Sequence, residues 1–215
     1  MARNFDGISQ LGTATTAAVT LDTGTFACWC RPDFASTTAT QYYWFHTDTT
    51  NYFALLNASG QFQTRFDGRN RNFDVSWSAS DWIHIAVTYD KGADSILGYL
   101  NGSAMNPQGA PTGTWGTNTH GTNVYLGRST SSGFFDGRFA EVVWYSAVLT
   151  ASDIAALGKG FAPTLVRPNV LNAYWPLMGN ESPELDRWEN KYNLTLTDTP
   201  VKSDHSRIYY PHQVP

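Results

Sequence analysis

The sequence predicts an all-β fold: two antiparallel sheets packed face to face, with one short helix near residues 150–157. Three observations carry this. The chain of 215 residues holds 25 Thr against four Glu, and 14% of it is aromatic. Such a composition favours strands over helices. Strand-like runs recur at short intervals with Gly, Asn and Asp between them, the signature of a sandwich. Within the runs, apolar and polar residues alternate, so that one face meets a core and the other meets solvent or a partner. The length suits one domain of ordinary size. An apolar content of 41% excludes a disordered chain. A net charge of −4 argues against nucleic acid as partner. No run approaches 18 apolar residues, so no membrane-spanning helix is expected.

Taken in order, strands are expected over 25–31, 41–46, 52–56, 62–66, 73–77, 82–89, 95–100, 123–126 and 138–145. Phe62, Thr64 and Phe66 share one face, with Gln61, Gln63 and Arg65 on the other. Phe73, Val75 and Trp77 oppose Asn72, Asp74 and Ser76 in the same way. Asn57–Gly60, Asp67-Gly68 and Asn101-Gly102 mark tight reversals. Thr150 is placed to cap a helix, with Asp153 three residues on, Ile154 and Leu157 on its apolar side and Gly158 as its stop. A Pro/Gly-bearing connector runs from 158 to 168, followed by two further strands at 172–177 and 193–196. Cys28 and Cys30 flank Trp29 on one strand face, near the limit of disulfide reach, and are expected as reduced core thiols. Residues 1–7 hold no apolar stretch of the signal-peptide kind, so folding in a cytoplasm is expected.

Five motifs now fall in a familiar order: FACWCRPD at 26–33, WIHIAVTYD at 82–90, YLNG at 99–102, YLGR at 125–128, and FFDGRFAEVVWY at 134–145 leading into LTASDIAAL at 149–157. Together they resemble the laminin-G-like, concanavalin-A-like jelly rolls over about residues 4–158. The resemblance implies a jelly-roll sandwich. In that family the segments similar to AYWPL (173–177) and YNLTLTDTP (192–200) precede the Phe-Asp-Gly strand; here they come last. The reading is a circular permutation, with residues 1–200 as one domain, 171–200 supplying displaced strands, and 201–215 as an extended arm. The rival reading is a truncated second copy, too short to bury a core of its own.

Catalysis finds little support. The family's glucanases carry Glu-x-Asp-x-x-Glu on one strand, and this chain has no such motif. Asp136 and Glu141, five apart on one strand, face opposite sides. Glu141 matches a structural acid of the family. His84 lies mid-strand with no nucleophile placeable beside it. His46, His120, His205 and His212 lack metal spacing, and the Gly-rich stretch 109–121 has no phosphate-loop pattern. The resemblance makes calcium the one cofactor to test, with Asp6, Asp90 and Asp136 at turn positions; three Phe-Asp-Gly triplets also read as plain turn chemistry. Tyr42, Trp44, Tyr52 and Trp115 are candidates for stacking on sugar rings, although core burial competes for each. Arg65, Arg69 and Arg71, with Asn70 and Asn72, form a polar cluster around one hairpin that reads either as a site or as a solvated edge. Asn57, Asn101, Asn180 and Asn193 head Asn-x-Ser/Thr sequons, which carry no meaning without a secretory leader.

Two functions follow. The first is a non-enzymatic structural or adhesive protein of a bacteriophage virion, mounted on a major shell protein or on copies of itself. In that reading Ile208, Tyr209 and Tyr210 of the arm are partner contacts. The alternative is a carbohydrate-binding module, with or without calcium, that attaches to glycans outside the cell as part of a larger assembly.

Overall fold

The structure is a computed structural model that describes residues 1–20, 22–47, 53–117, 121–129, 133–205 and 208–209. Its strands are β1 (Ala2–Asp6), β2 (Leu11–Thr15), β3 (Thr23–Pro32), β4 (Tyr42–Thr47), β5 (Phe53–Ala58), β6 (Gln61–Phe66), β7 (Arg69–Asp74), β8 (Ile83–Asp90), β9 (Ser95–Leu100), β10 (Ser103–Ala104), β11 (Asn123–Leu126), β12 (Asp136–Tyr145), β13 (Leu171–Trp175), β14 (Thr195–Thr197) and β15 (Val201–Ser203); α1 spans Ala151–Gly158. The first sheet runs β10-β9-β8-β3-β12-β1-β15, with β13 also on β12. The second runs β14-β2-β11-β4-β5-β6-β7. The named ladder pairs are antiparallel. No helix among the described residues is long and apolar enough to cross a membrane.

The core between the sheets is aromatic. Trp44 is fully buried, with Phe34, Phe62, Trp77 and Phe135 around it in edge-on contact. Its neighbour Phe45 packs against Phe26 and Trp144. Consecutive strand residues normally face opposite ways. Here the register of β4 shifts between Tyr43 and Phe45, and the bulge turns both Trp44 and Phe45 inward. Cys28 and Cys30 are free and buried in the same core.

The opposite face of the first sheet is covered by α1. Ile154 and Leu157 pack there with Ala27, Ala86, Val143 and Tyr145. The Thr150–Asp153 capping box forms as its sequence requires. Gly158 does not stop the helix but is its last residue. A Cβ there would lie 2.6 Å from the backbone nitrogen of Gly102, and the left-handed turn falls to Gly160 at φ 90°.

Several strands differ from the sequence pattern. The hairpin strand expected at 73–77 is β7, shifted back to Arg69–Asp74. Trp77 leaves the ladder, accepts the Ser36 backbone N–H on its carbonyl, donates its own backbone N–H to the Ser36 hydroxyl, and donates its indole N–H to the Phe34 carbonyl at 3.1 Å. The strand expected at 172–177 ends at Trp175, because Pro176 has no N–H to give and Leu177 adopts φ 58°. Neither β1 nor β2 is expected from the pattern; long-range ladders with β12, β15, β11 and β14 hold them.

The late strands join both sheets. β13 pairs with β12 and β14 with β2, and Trp175 enters the shared core. Asp186 organises the loop between them. Its buried carboxylate accepts the backbone N–H of Tyr174 and Trp188 on one oxygen and of Lys191 and Tyr192 on the other. Replacing it strands several donors away from water. Asp186→Ala is expected to lower the unfolding free energy by roughly 2–4 kcal/mol, read from denaturant unfolding; a loss under about 0.5 kcal/mol would show that the loop does not depend on this carboxylate.

Candidate functional site

Register and burial together define the outer face of the second sheet. One row crosses all seven strands: Thr195, Thr13, Tyr125, His46, Ala54, Arg65 and Asn70 stand directly opposite one another in turn. A second row holds Tyr43, Leu56, Gln63 and Asn72. The intervening residues Leu126, Phe45 and Leu55 are in the core, so both rows face away from it. Ala54 and Leu56 have no exposed surface and cluster with Tyr43. This small apolar floor is covered, as is His46, so the accessible part of the face is its polar rim of Thr13, Tyr125, Gln63, Arg65, Asn70 and Asn72.

The rim of this floor is polar. Arg65 donates to Gln63 Oε1 at 3.3 Å. Asn72 donates to Gln61 Oε1 at 2.9 Å, and Gln61, Gln108 and Asp74 continue the chain of hydrogen bonds. At the other end the Arg128 guanidinium lies over the rings of Tyr125 and Phe134, 5.6 and 5.0 Å from their centroids. Amides, guanidinium groups and a ring edge on a preformed surface suit a neutral, hydroxyl-rich ligand, which offers donors and acceptors above apolar C–H faces.

The structure divides the residues singled out in the sequence. Arg65, Asn70 and Asn72 share the outer face. Arg69 and Arg71 have the opposite parity, that of core residue Phe73, and leave the cluster. Arg69 is tied to the carbonyls of Pro111 and Gly113 and to Asp94 at 2.7 Å. Trp115 donates to the other oxygen of Asp94, and this bond, with Arg69, holds the Asp94 carboxyl below its ordinary range. These groups brace the edge of the sheet. Tyr42 turns toward the core and stacks on Phe34 at 3.9 Å. Trp44 is core, its indole N–H on Cys30 Sγ at 3.1 Å. Neither reaches a ligand, because the β4 bulge directs Trp44 inward and Tyr42 already has inward parity. Tyr52, His120, His212 and Tyr210 lie outside the described residues. Tyr125, Arg128, His46 and Gln63 complete the face. Only Gln63 had a sequence signal, the alternation of β6.

Glu141 and His84 meet on the opposite side of the molecule. Glu141 sits at a bulge of β12 with φ 51°. Its buried carboxylate accepts the Tyr174 hydroxyl and lies 3.6 Å from His205 Nε2. The cavity lined by Trp29, His84, Glu141 and Phe161 holds about 10 Å³, room for one water and no sugar. Burial pulls the His84 imidazole down to about 3, which keeps it neutral.

A family profile described as the concanavalin A-like lectin/glucanases superfamily matches residues 6–155. The chain belongs to this superfamily. Solved structures agree on the fold. A candidate carbohydrate-binding protein of Bacteroides ovatus is 19% identical with a TM-score of 0.72, over 97% of this chain and 61% of its own. Domain 4 of an extracellular arabinanase of Geobacillus stearothermophilus, in complex with arabinotriose, is 18% identical with a TM-score of 0.57, over 73% of this chain and 76% of its own. The carbohydrate-binding module of a Ruminococcus gnavus sialidase, bound to α2,3-sialyllactose, is 17% identical with a TM-score of 0.52, over 74% of this chain and 97% of its own. No curated protein sequence matches.

In this concanavalin A-like domain, Asp6, Asp90 and Asp136, the residues weighed for calcium, do not come together as one ligand set among the described residues. Asp6 accepts the backbone N–H groups of Ile8, Ser9 and Gln10; burial opposes them, but they carry its carboxyl to about 2. Asp90 caps Ala93. Burial, then Asp33 and Asp6, raise Asp136, and among the described residues no three His, Cys, Asp or Glu side chains converge to hold a metal ion.

Burial of His84 is expected to make the fold acid-sensitive. Its folded value near 3 lies below the ordinary imidazole value of about 6.5, so the unfolded chain binds the proton first. Stability is expected to fall by up to about 1.4 kcal/mol per pH unit as pH drops through that window. His84→Leu should flatten the slope in denaturant unfolding at pH 4–6; an unchanged slope would assign it to other groups.

Proposed function

We propose that this domain is a non-catalytic glycan-binding module whose ligand lies along the outer face of the second sheet. The row from Thr195 to Asn70 carries the reading. It sets the part-exposed side chains of Tyr125, Arg65 and Asn70 in one line on the outer face. The arabinotriose and sialyllactose complexes of similarly folded modules support it. Glu141, the acid that invites a catalytic reading, is sealed beneath Tyr174 and His205.

Assembly on a virion through the C-terminal arm is compatible with glycan binding, and the described part of the arm contacts its own domain. β15 pairs with β1 in its own domain, and Tyr209 bridges to Phe161 through bonds to Gly160 and Ala162. We also read the placement of β13 and β14 in the two sheets as the mark of a circular permutation.

Glycan-array screening followed by calorimetry tests the function. Arg65→Ala and Tyr125→Ala are each expected to weaken binding at least tenfold while shifting the melting temperature little. Arg167→Ala, at an exposed distant turn, is expected to leave binding unchanged. Failure to bind any glycan, or binding indifferent to both outer-face variants, would overturn the assignment.

A further inference from the structure

The chain's eight tryptophans divide by exposure. Seven are buried or half-buried, and five of these, Trp44, Trp77, Trp115, Trp144 and Trp175, donate their indole N–H within the fold. Trp188 is the exception. It is 36% exposed, and its indole N–H donates to no other group among the described residues. Single exposed apolar side chains are ordinary on protein surfaces. The backbone beneath this one sets it apart. Trp188 stands in the loop between β13 and β14, and its own N–H is held by the buried Asp186 carboxylate at 3.1 Å. The Arg187 N–H donates to the Tyr174 carbonyl of β13 at 2.8 Å, and the Asn190 N–H to the Asp186 carbonyl at 3.1 Å. The Asp186 N–H goes to Asn193 Oδ1 at 3.0 Å. While the backbone is tied down, the side chains are uncommitted: Arg187, Glu189 and Asn190 are exposed and make no side-chain hydrogen bond among the described residues. Residues 185–190 line a depression of about 430 Å³, inside the range of roughly 300–1,000 Å³ found for small-ligand sites.

We propose that this loop is a second saccharide site, separate from the outer face of the second sheet, in which the Trp188 indole takes the C–H face of a neutral sugar ring and Arg187, Glu189 and Asn190 take its hydroxyls. The side-chain chemistry selects this ligand class. A carboxylate only accepts, a guanidinium only donates, and an amide does both; a hydroxyl can answer all three. An anionic ligand would meet Glu189 and a cationic one Arg187, so the loop does not read net charge. Lys191 is turned to the Tyr192 ring, 5.0 Å from its centroid. A purely apolar partner would leave the three polar groups unpaired on burial. Because Asp186 holds the backbone before a ligand arrives, binding has to order side chains alone, which lowers its entropic cost. The loop shares a ligand class with the outer face but none of its residues, so each site can fail alone.

A glycan array tests this with the wild type, an Arg65→Ala/Tyr125→Ala double variant, and that double variant carrying Trp188→Ala. The double variant is expected to keep at least one neutral glycan. Adding Trp188→Ala or Glu189→Ala is expected to weaken that binding at least tenfold with little change in melting temperature. In solution the same glycan should shift the Trp188 indole N–H resonance and leave those of the core residues Trp44 and Trp144 in place. Should Trp188→Ala unfold the domain, Glu189→Ala decides. Binding that the wild type shows and the double variant has lost altogether would overturn the second site and leave the outer face standing. Binding that the double variant keeps in full and Trp188→Ala removes would overturn the outer face and leave this site standing. Residual binding indifferent to Trp188→Ala, or a Trp188-dependent self-association with no glycan signal, would also overturn the second site, and a wild type that binds no glycan overturns both.

Discussion

Strand β12 has to satisfy two neighbours on one edge. β1 pairs with its first half, from Asp136 to Phe139, and β13 with its second, from Val142 to Tyr145. On the other edge β3 must follow along the whole length, and it does so only with a register shift between Ala140 and Val143. Glu141 absorbs that shift in a left-handed conformation, which a non-glycine residue adopts only when its surroundings enforce it. Pairing at the centre of the first sheet therefore decides where this carboxylate goes. Once there, Tyr174 from the strand paired beside it and His205 from the end of the chain become its partners. β1, β13 and His205 all meet β12 on either side of, or at, the same irregularity.

The second sheet meets a different constraint. Its inner face must fill the sandwich, so Phe62, Thr64 and Phe66 of β6 and Val124 and Leu126 of β11 point inward. The pleat then commits Gln63, Arg65 and Tyr125 to the outside. Because neighbouring strands stay in register across the sheet, the outward residues align into rows. The candidate ligand face is in this sense a by-product of core packing: the strands that bury the aromatics also space the polar groups. A bulge in β4 spends two consecutive aromatics, Trp44 and Phe45, on the core, and it leaves His46 as that strand's member of the row.

Much of this was written in the sequence. Thr- and aromatic-rich composition, period-two alternation and turn dipeptides set the sandwich, because each rests on neighbours in the chain. The motif order from Phe26 to Leu157 pointed to the family, and the Thr150–Asp153 pair set the start of the helix. The alternation of Gln61, Gln63 and Arg65 already showed which side of β6 faced out. Side-chain direction past an irregularity was not legible. The bulge that turned Trp44 inward, the hairpin register that parted Arg69 and Arg71 from Arg65, and the row that joined Tyr125 to His46 all depend on which strands lie side by side. The meeting of Glu141 with His205, 64 residues away, depends on it too. Propensity and pattern act within a few residues; register between distant strands is settled only when the whole core packs.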